Sequence, residues 1–241
     1  MPQIVEQLKG LEEIFLDHVS DEICTPLNAL VGFNDLLNGV SGAHMDEEEK
    51  MVMREHIHHN ANRLVTMIND ILDLSKMQKG TLTLHKTVVG LMEACYKARE
   101  SVKHEVPSEV KLKHEYPMAL KDTYLYTDGK RLEQLIRIFL ENACQHTDSG
   151  EVVLKVKTYE LLDDGQTFLQ IRVDDTGEGI AEEHREQIFK PFWKADVKGA
   201  GMGIGLALSR EIAKMLGGKV YLDHDYKGGA SFVFEMPLEQ V

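Results

Sequence analysis

The segment "GAGMGIGL" (199–206) places Gly201, Gly203 and Gly205 at the mouth of an apolar helix. Free backbone N–H groups and the positive end of the helix dipole make such an opening a cradle for anions. No GK[ST] follows, so it is not a P-loop. The unit upstream does not read strand–helix–strand, and no acidic residue sits suitably downstream, which excludes a dinucleotide fingerprint. Two more segments carry candidate side chains. "ENACQHT" (141–147) holds Asn142 near the end of a helix, and "DDTGEGI" (174–180) ends an apolar strand on Asp175, where one carboxylate can be aimed into a site. Alone, each also fits a bland role: a helix-surface amide, a strand-end turn, a helix entry built for packing. A fourth stretch, "SDEICTPLNAL" (20–30), sets Asp21 and Glu22 one turn before Thr25 and Pro26. A proline inside a helix costs roughly 3 kcal/mol unless something compensates.

The elements that must carry these groups fall into two textures. Over residues 1–80 the spacing predicts two helices. Ile4, Leu8, Leu11, Phe15 and Val19 form one apolar face, continued by Ile23, Leu27, Leu30 and Leu37. "NGVSGAHMDEEEK" (38–50) breaks it, and Asp46 offers an N-cap to a second helix bearing Val52, Ile57, Leu64, Ile68, Ile71 and Leu74. An antiparallel hairpin leaves part of these stripes uncovered, and a dimeric four-helix bundle covers them. Over 81–241 the expected order is strand "TLTLHK", helix "TVVGLMEACYKARESV", strands "VKLKHEY" and "TYLYTD", and a helix capped by Asp128. A hairpin of "EVVLKVKTYELL" and "TFLQIRVDD" follows, with its turn at Asp163–Gln166. Then come the helix "IGLALSREIAKML" and the strands "GKVYLDHD" and "ASFVFEMPL". Helices with antiparallel strands in this order imply an α+β sandwich, one sheet with helices on one face.

Bulk composition narrows the partners. A net charge of −13 over 241 residues argues against nucleic acid and anionic membrane surfaces. No apolar run reaches the roughly 18 to 20 residues of a membrane span, and the N-terminus lacks a signal-peptide pattern. Cys24, Cys95 and Cys144 form no CxxC pair, so a reduced cytoplasmic setting is expected, with a sensor or membrane segment left open in a longer parent chain.

Taken in order, the three glycine- and amide-bearing segments resemble the N, G1 and G2 boxes of the GHKL ATP-binding superfamily. "IFKPFWKAD" (188–196) resembles the F box of sensor histidine kinases, and "TDGKRLEQL" their usual lead-in to the N box. "SDEICTPL" is similar to the H box of the HisKA-type dimerisation and phosphotransfer hairpin. The resemblance implies a hairpin over 1–80 and a Bergerat-type α/β-sandwich ATP-binding domain over 81–241. It implies ATP and Mg²⁺ as cofactors, with Asp175 accepting from the adenine amino group and Asn142 lending its amide oxygen to the metal. Gln145, His146, Gly177, Gly179, Ile180, Lys190, Gly201, Gly203, Gly205 and Leu206 are expected to complete the nucleotide site. Lys194 and Lys198 share the lid with Lys190, and Phe189 and Phe192 are expected to pack its base. The implied partners are a second copy of the chain and a response-regulator receiver domain.

The departures are specific. Asp21 stands where the family's phosphoaccepting histidine belongs, and Cys24 replaces its arginine. Ile138 takes the place of a frequent second asparagine, Gln145 that of a lysine, and Ala230 that of the threonine in a GTxF strand. Each of the last three removes a polar contact, worth about 0.5 to 1.5 kcal/mol for a neutral hydrogen bond. An ionised aspartate beside Glu22 meets an incoming phosphate with like-charge repulsion of roughly 1 kcal/mol per pair at 4 Å in water, and roughly 4 at an effective dielectric of 20. The expected state is therefore a hairpin that does not autophosphorylate, whether the aspartate is engineered or native. His18, one turn earlier, is the alternative acceptor, and His56 and His59 read as surface residues rather than metal ligands. Glu22 and Thr25 keep the spacing that serves receiver dephosphorylation in the family. A kinase core, a receiver phosphatase and a nucleotide-dependent scaffold all remain open at this point.

Overall fold

The computed structural model describes residue 20 and residues 22–39, 45–161, 165–195 and 202–238. They form two compact units, the first of residues up to Gln78 together with Met202 and the second of the other residues from Lys79 on.

In the first unit, helix α1 (22–38) runs against α2 (Glu47–Gln78). Asp46 caps α2 through a reciprocal pair: its carboxylate accepts from Glu49 N–H at 2.8 Å, and its own N–H donates to the Glu49 carboxylate at 3.0 Å. This is a full capping box, satisfying two otherwise orphaned donors. Glu22 lies 4.0 Å from Arg63, and the rings of Phe33 and His56 stack at 5.0 Å. Position 22 thus meets 63 while 33 meets 56, so the two helices are antiparallel. Met67 and Leu74 are buried. A second stripe on α2, Val65, Ile68 and Leu72, is 46 to 58% exposed, as are Leu27 and Val31 on α1 at 45 and 52%. The apolar positions at 4, 8, 11, 15 and 19 lie outside the described residues.

The second unit is built on a five-stranded sheet of order β2-β4-β5-β7-β6 and a separate two-stranded sheet, β1-β3. Its elements are β1 (Thr87–Gly90), α3 (Leu91–Ser101), β2 (Val110–Glu115), β3 (Tyr124–Thr127), α4 (Gly129–Gln145), β4 (Gly150–Glu160), β5 (Thr167–Asp175), α5 (Gly205–Met215), β6 (Lys219–Leu222) and β7 (Ser231–Pro237). The β4–β5 hairpin has the expected antiparallel register, from Val152 opposite Asp175 to Glu160 opposite Thr167. Period-2 alternation sends Leu154, Ile171, Val173, Phe232 and Phe234 to one face, where they are buried with Leu132, Leu135, Ile136 and Phe139 of α4 and Leu208 and Ile212 of α5. Phe139 and Phe232 bring their rings to 5.6 Å. The opposite face is polar: Asp174 pairs with Arg172 at 2.7 Å, and Glu235 accepts from Gln170 at 2.6 Å and Tyr221 at 2.7 Å.

Three local expectations are corrected. "TLTLHK" is not a strand, because His85 N–H donates to the Asp128 carboxylate at 2.8 Å instead of joining a ladder. "TVVG" is strand β1 rather than the start of a helix; its β-branched residues pair with β3, and the helix begins only at Leu91. Among the described residues there are two sheets, not one, and β2 pairs with β4 in parallel.

Candidate functional site

Period-2 alternation puts Asp175, the last residue of β5, on the helix-facing side of the sheet, 2% exposed. One carboxylate oxygen is held in place: Oδ1 accepts from Gly177 N–H and from Ala230 N–H, each at 3.0 Å. The other, Oδ2, has no hydrogen-bond partner among the described residues. Burial raises this carboxyl above its ordinary range, and the two backbone N–H groups oppose the rise. The backbone around it is also fixed. Asp175 N–H donates to Ala230 O at 3.0 Å, and the Tyr226 hydroxyl donates to Asp175 O at 3.0 Å. A carboxylate with one anchored and one open oxygen is a directed acceptor for a ligand N–H.

The end of α4 forms the neighbouring wall. Asp128 starts the helix by accepting from Arg131 N–H at 3.2 Å, and its buried side chain also holds His85. Near the other end Asn142 is half-buried, and its carbonyl accepts from His146 N–H at 3.2 Å. Gln145 and His146 are exposed. His146 Nδ1 lies 3.6 Å from Glu178, a contact between two exposed groups and therefore weak. Thr147 follows, 1% exposed, its hydroxyl also without a partner among the described residues.

Gly177 explains why the turn after β5 begins with glycine. A Cβ there would collide with the carbonyl oxygen of His146 and stand 3.1 Å from Thr147 Oγ1. Two backbone segments, one from β5 and one from the end of α4, meet at that point. Thr176 reinforces the junction from the other side, its hydroxyl accepting from Glu151 N–H at 2.9 Å. Gly179 and Ile180 continue the turn, and Arg185 donates to Ile180 O at 3.3 Å.

The turn at Phe192 meets the backbone just before α5. Phe192 N–H donates to Gly203 O at 2.8 Å, with Phe192 at φ 65° and Gly203 at φ 67°. Both occupy the left-handed region, which glycine accepts freely and phenylalanine does not. A Cβ on Gly203 would press on the Phe192–Trp193 backbone. Phe189 is buried, its ring 6.2 Å from Phe232 and its face covered by Arg210 at 4.4 Å. Phe192, by contrast, is half-buried. Lys190 is exposed. Gly205 opens α5 with its Cα side against Ile138, which is buried, so an apolar contact stands where the family often has an asparagine. Leu206 is half-buried in the first turn.

Asn142, Asp175, Gly177, Gly179, Gly203 and Gly205 thus all lie in the second unit, on the ends of α4 and β5 and the start of α5. Asp21, His18, Lys198 and Gly201 lie outside the described residues. Glu22 is half-buried near Arg63, and Thr25 and Cys24 are exposed on α1. Among the described residues, no group of three or more His, Cys, Asp or Glu is placed to hold a metal ion. An oxygen-seeking cation would instead find the Asn142 amide and the oxygens of a bound phosphate, a donor set that suits Mg²⁺. Sequence reasoning passed over Tyr226 and the Ala230 N–H. Tyr226 lies in an irregular turn with no motif, and a backbone donor leaves no mark in side-chain identity.

Residues 11–80 match the family described as the His Kinase A (phospho-acceptor) domain, and residues 127–240 the family of histidine kinase-, DNA gyrase B- and HSP90-like ATPases. Among characterised relatives, the autoinducer 2 sensor kinase/phosphatase LuxQ of Vibrio vulnificus is 28% identical over 98% of this chain. Hybrid signal transduction histidine kinase F of Dictyostelium discoideum is 30% identical over 94%, and the signal transduction histidine-protein kinase BarA of Escherichia coli 27% over 97%. The chain spans only 27, 21 and 25% of their respective lengths. Two solved structures share the fold: full-length ShkA in complex with AMPPNP and the histidine kinase AdeS of Acinetobacter baumannii. Their TM-scores are 0.63 and 0.60 at 23 and 21% identity, covering 95 and 90% of this chain and 46 and 98% of theirs.

Proposed function

Because the chain belongs to the sensor histidine kinases, with a phospho-acceptor domain followed by an ATPase domain, we propose that it is a cytoplasmic catalytic core that binds Mg–ATP and acts on a response-regulator receiver. The observation that carries this reading is Asp175, anchored through Oδ1 and open at Oδ2. The adenine amino group donates to Oδ2. Gly177 and Gly179 let the backbone approach the base, while Gly203 and Gly205 lead into α5, whose N-terminal end attracts the phosphates. Asn142 would hold Mg²⁺, which neutralises phosphate charge during transfer. Gln145, His146, Ile180, Lys190 and Leu206 complete the rim.

The hairpin dimerises. The exposed stripes Val65–Ile68–Leu72 and Leu27–Val31 are the faces it buries, in a four-helix bundle with a second copy. Autophosphorylation is lost at Asp21, whose ionised carboxylate repels the phosphate it would have to attack. A second reading, receiver dephosphorylation, is favoured by the placement of Glu22 and Thr25. Glu22 is half-buried near Arg63, and Thr25 is exposed one turn on, where its hydroxyl can orient a water toward an aspartyl phosphate.

Calorimetric titration with Mg–ADP tests the nucleotide site: saturable one-to-one binding supports it, and no heat at millimolar nucleotide removes it. Loss of phosphate from a phosphorylated receiver, accelerated by this chain but not by Thr25→Ala, supports the phosphatase reading.

A further inference from the structure

Two polar atoms beside the α4–β5 junction have no partner among the described residues: Asp175 Oδ2 and Thr147 Oγ1. The nucleotide reading uses the first and leaves the second unexplained. Thr147 is 1% exposed, and a buried hydroxyl without a hydrogen bond is costly, so native structures rarely keep one without a reason. Its neighbourhood is that of the base-reading carboxylate. A Cβ on Gly177 would stand 3.1 Å from Thr147 Oγ1, and the N–H of the same glycine donates to Asp175 Oδ1 at 3.0 Å. Gly177 is therefore the shared wall of both groups. The hydroxyl of Thr176, the other threonine nearby, is turned away and accepts from Glu151 N–H at 2.9 Å. Just before β7, the position where the family's GTxF pattern carries a hydroxyl is Ala230, which offers only its N–H, to Asp175 Oδ1 at 3.0 Å.

We propose that Thr147 is a second base-reading residue, whose hydroxyl hydrogen-bonds an aminopurine edge together with Asp175 Oδ2. The inference rests on the nucleotide-binding reading above and adds a second base-contacting side chain to it. An aminopurine presents an N–H donor beside a ring-nitrogen acceptor. A carboxylate oxygen can answer only the donor, while a hydroxyl can donate to the acceptor. The pair Asp175 and Thr147 supplies both halves of that pattern. A 6-oxopurine presents the reverse pattern and sets its carbonyl against the acceptor-only carboxylate, whereas the hydroxyl can turn to accept the ring N–H; Asp175 therefore discriminates, and Thr147 adds affinity.

The discriminating variant is Thr147→Val, which keeps the β-branched shape and removes the hydroxyl, with Thr147→Ser as the rescue. ADP and IDP affinities and the melting temperature without nucleotide are measured for each. The expected result for Thr147→Val has two signs. The nucleotide-free protein melts higher, by about 1 to 3 °C, because an unpartnered buried hydroxyl is gone. ADP binding weakens by about 3- to 10-fold. Thr147→Ser restores the affinity. A threonine present only for packing would leave ADP affinity unchanged in the valine variant, and that result overturns the inference. A lower melting temperature in the valine variant overturns it too, since the hydroxyl would then have an internal partner. If the unaltered chain binds no ADP, the nucleotide reading falls and this inference with it. If the unaltered chain binds ADP and Thr147→Val binds it equally, this inference alone falls.

Discussion

Replacing Asp175 by asparagine separates the carboxylate's structural work from its reading of the base. Oδ1 accepts two backbone N–H groups, from Gly177 and Ala230, each at 3.0 Å. An asparagine carbonyl oxygen can accept both, so the turn after β5 keeps its anchor. What changes is the open position: an amide N–H₂ stands where Oδ2 stood, a donor facing a donor. The lost interaction is a hydrogen bond to a charged acceptor, worth about 1.5 to 3 kcal/mol. At about 1.4 kcal/mol per tenfold, ADP affinity falls by roughly 10- to 150-fold. The same amide suits the carbonyl of a 6-oxopurine, so the ratio of ADP to IDP affinity inverts. The fold is not weakened, because a buried carboxyl already pushed above its ordinary range by desolvation is replaced by a neutral group. Calorimetric titration with both nucleotides, beside a thermal melt, reads all three quantities. An Asp175→Asn protein that melts normally and binds ADP as tightly as the parent would refute the assignment of the open oxygen to the base.

The raised Asp175 carboxyl has a pH signature with two opposite signs. Deprotonation costs more in the folded chain than in the unfolded one, so this group's destabilisation is relieved as pH falls through the raised value, while ADP affinity declines over the same range as the charged acceptor is lost. Melting and titration from about pH 7 to about pH 4.5, with Asp175→Asn as the flat control, check both signs. Gly177→Ala forces a Cβ into the His146 carbonyl and destabilises the second unit by about 3 kcal/mol or more, seen as a collapse of its melting transition. Asp46→Ala removes half of the capping box at the start of α2 and costs about 1 kcal/mol in denaturant unfolding. Leu72→Glu, on the exposed stripe of α2, converts a dimer to a monomer in sedimentation without lowering nucleotide affinity.

Legibility followed the range of the interactions. The β4–β5 hairpin could be read because alternation of Val152, Leu154 and Val156 is local, and α4 because Asp128 and an apolar stripe announce it. The parallel pairing of β2 with β4 could not, since β3 and α4 lie between the two strands in the chain and no residue in either encodes the partner. "TVVG" was misplaced because an apolar run of that length fits either a helix or a strand until a partner strand is known. In the site, Asp175 was visible through its glycine-rich turn. Tyr226 was not, because it reaches Asp175 O from 51 residues away in an irregular loop. Thr147 stood inside a quoted motif, but only burial without a partner marks it.

The proposed nucleotide site and the aspartate at position 21 together call for a chain that binds ATP without labelling itself. The direct measurement is incubation of the chain and of Asp21→His with Mg–ATP labelled at the γ-phosphate, followed by acid and base treatment of the protein. The account predicts no label on the unaltered chain and acid-labile, base-stable label on Asp21→His. Acid-labile label on the unaltered chain, or none on an Asp21→His protein that binds ADP, would contradict it.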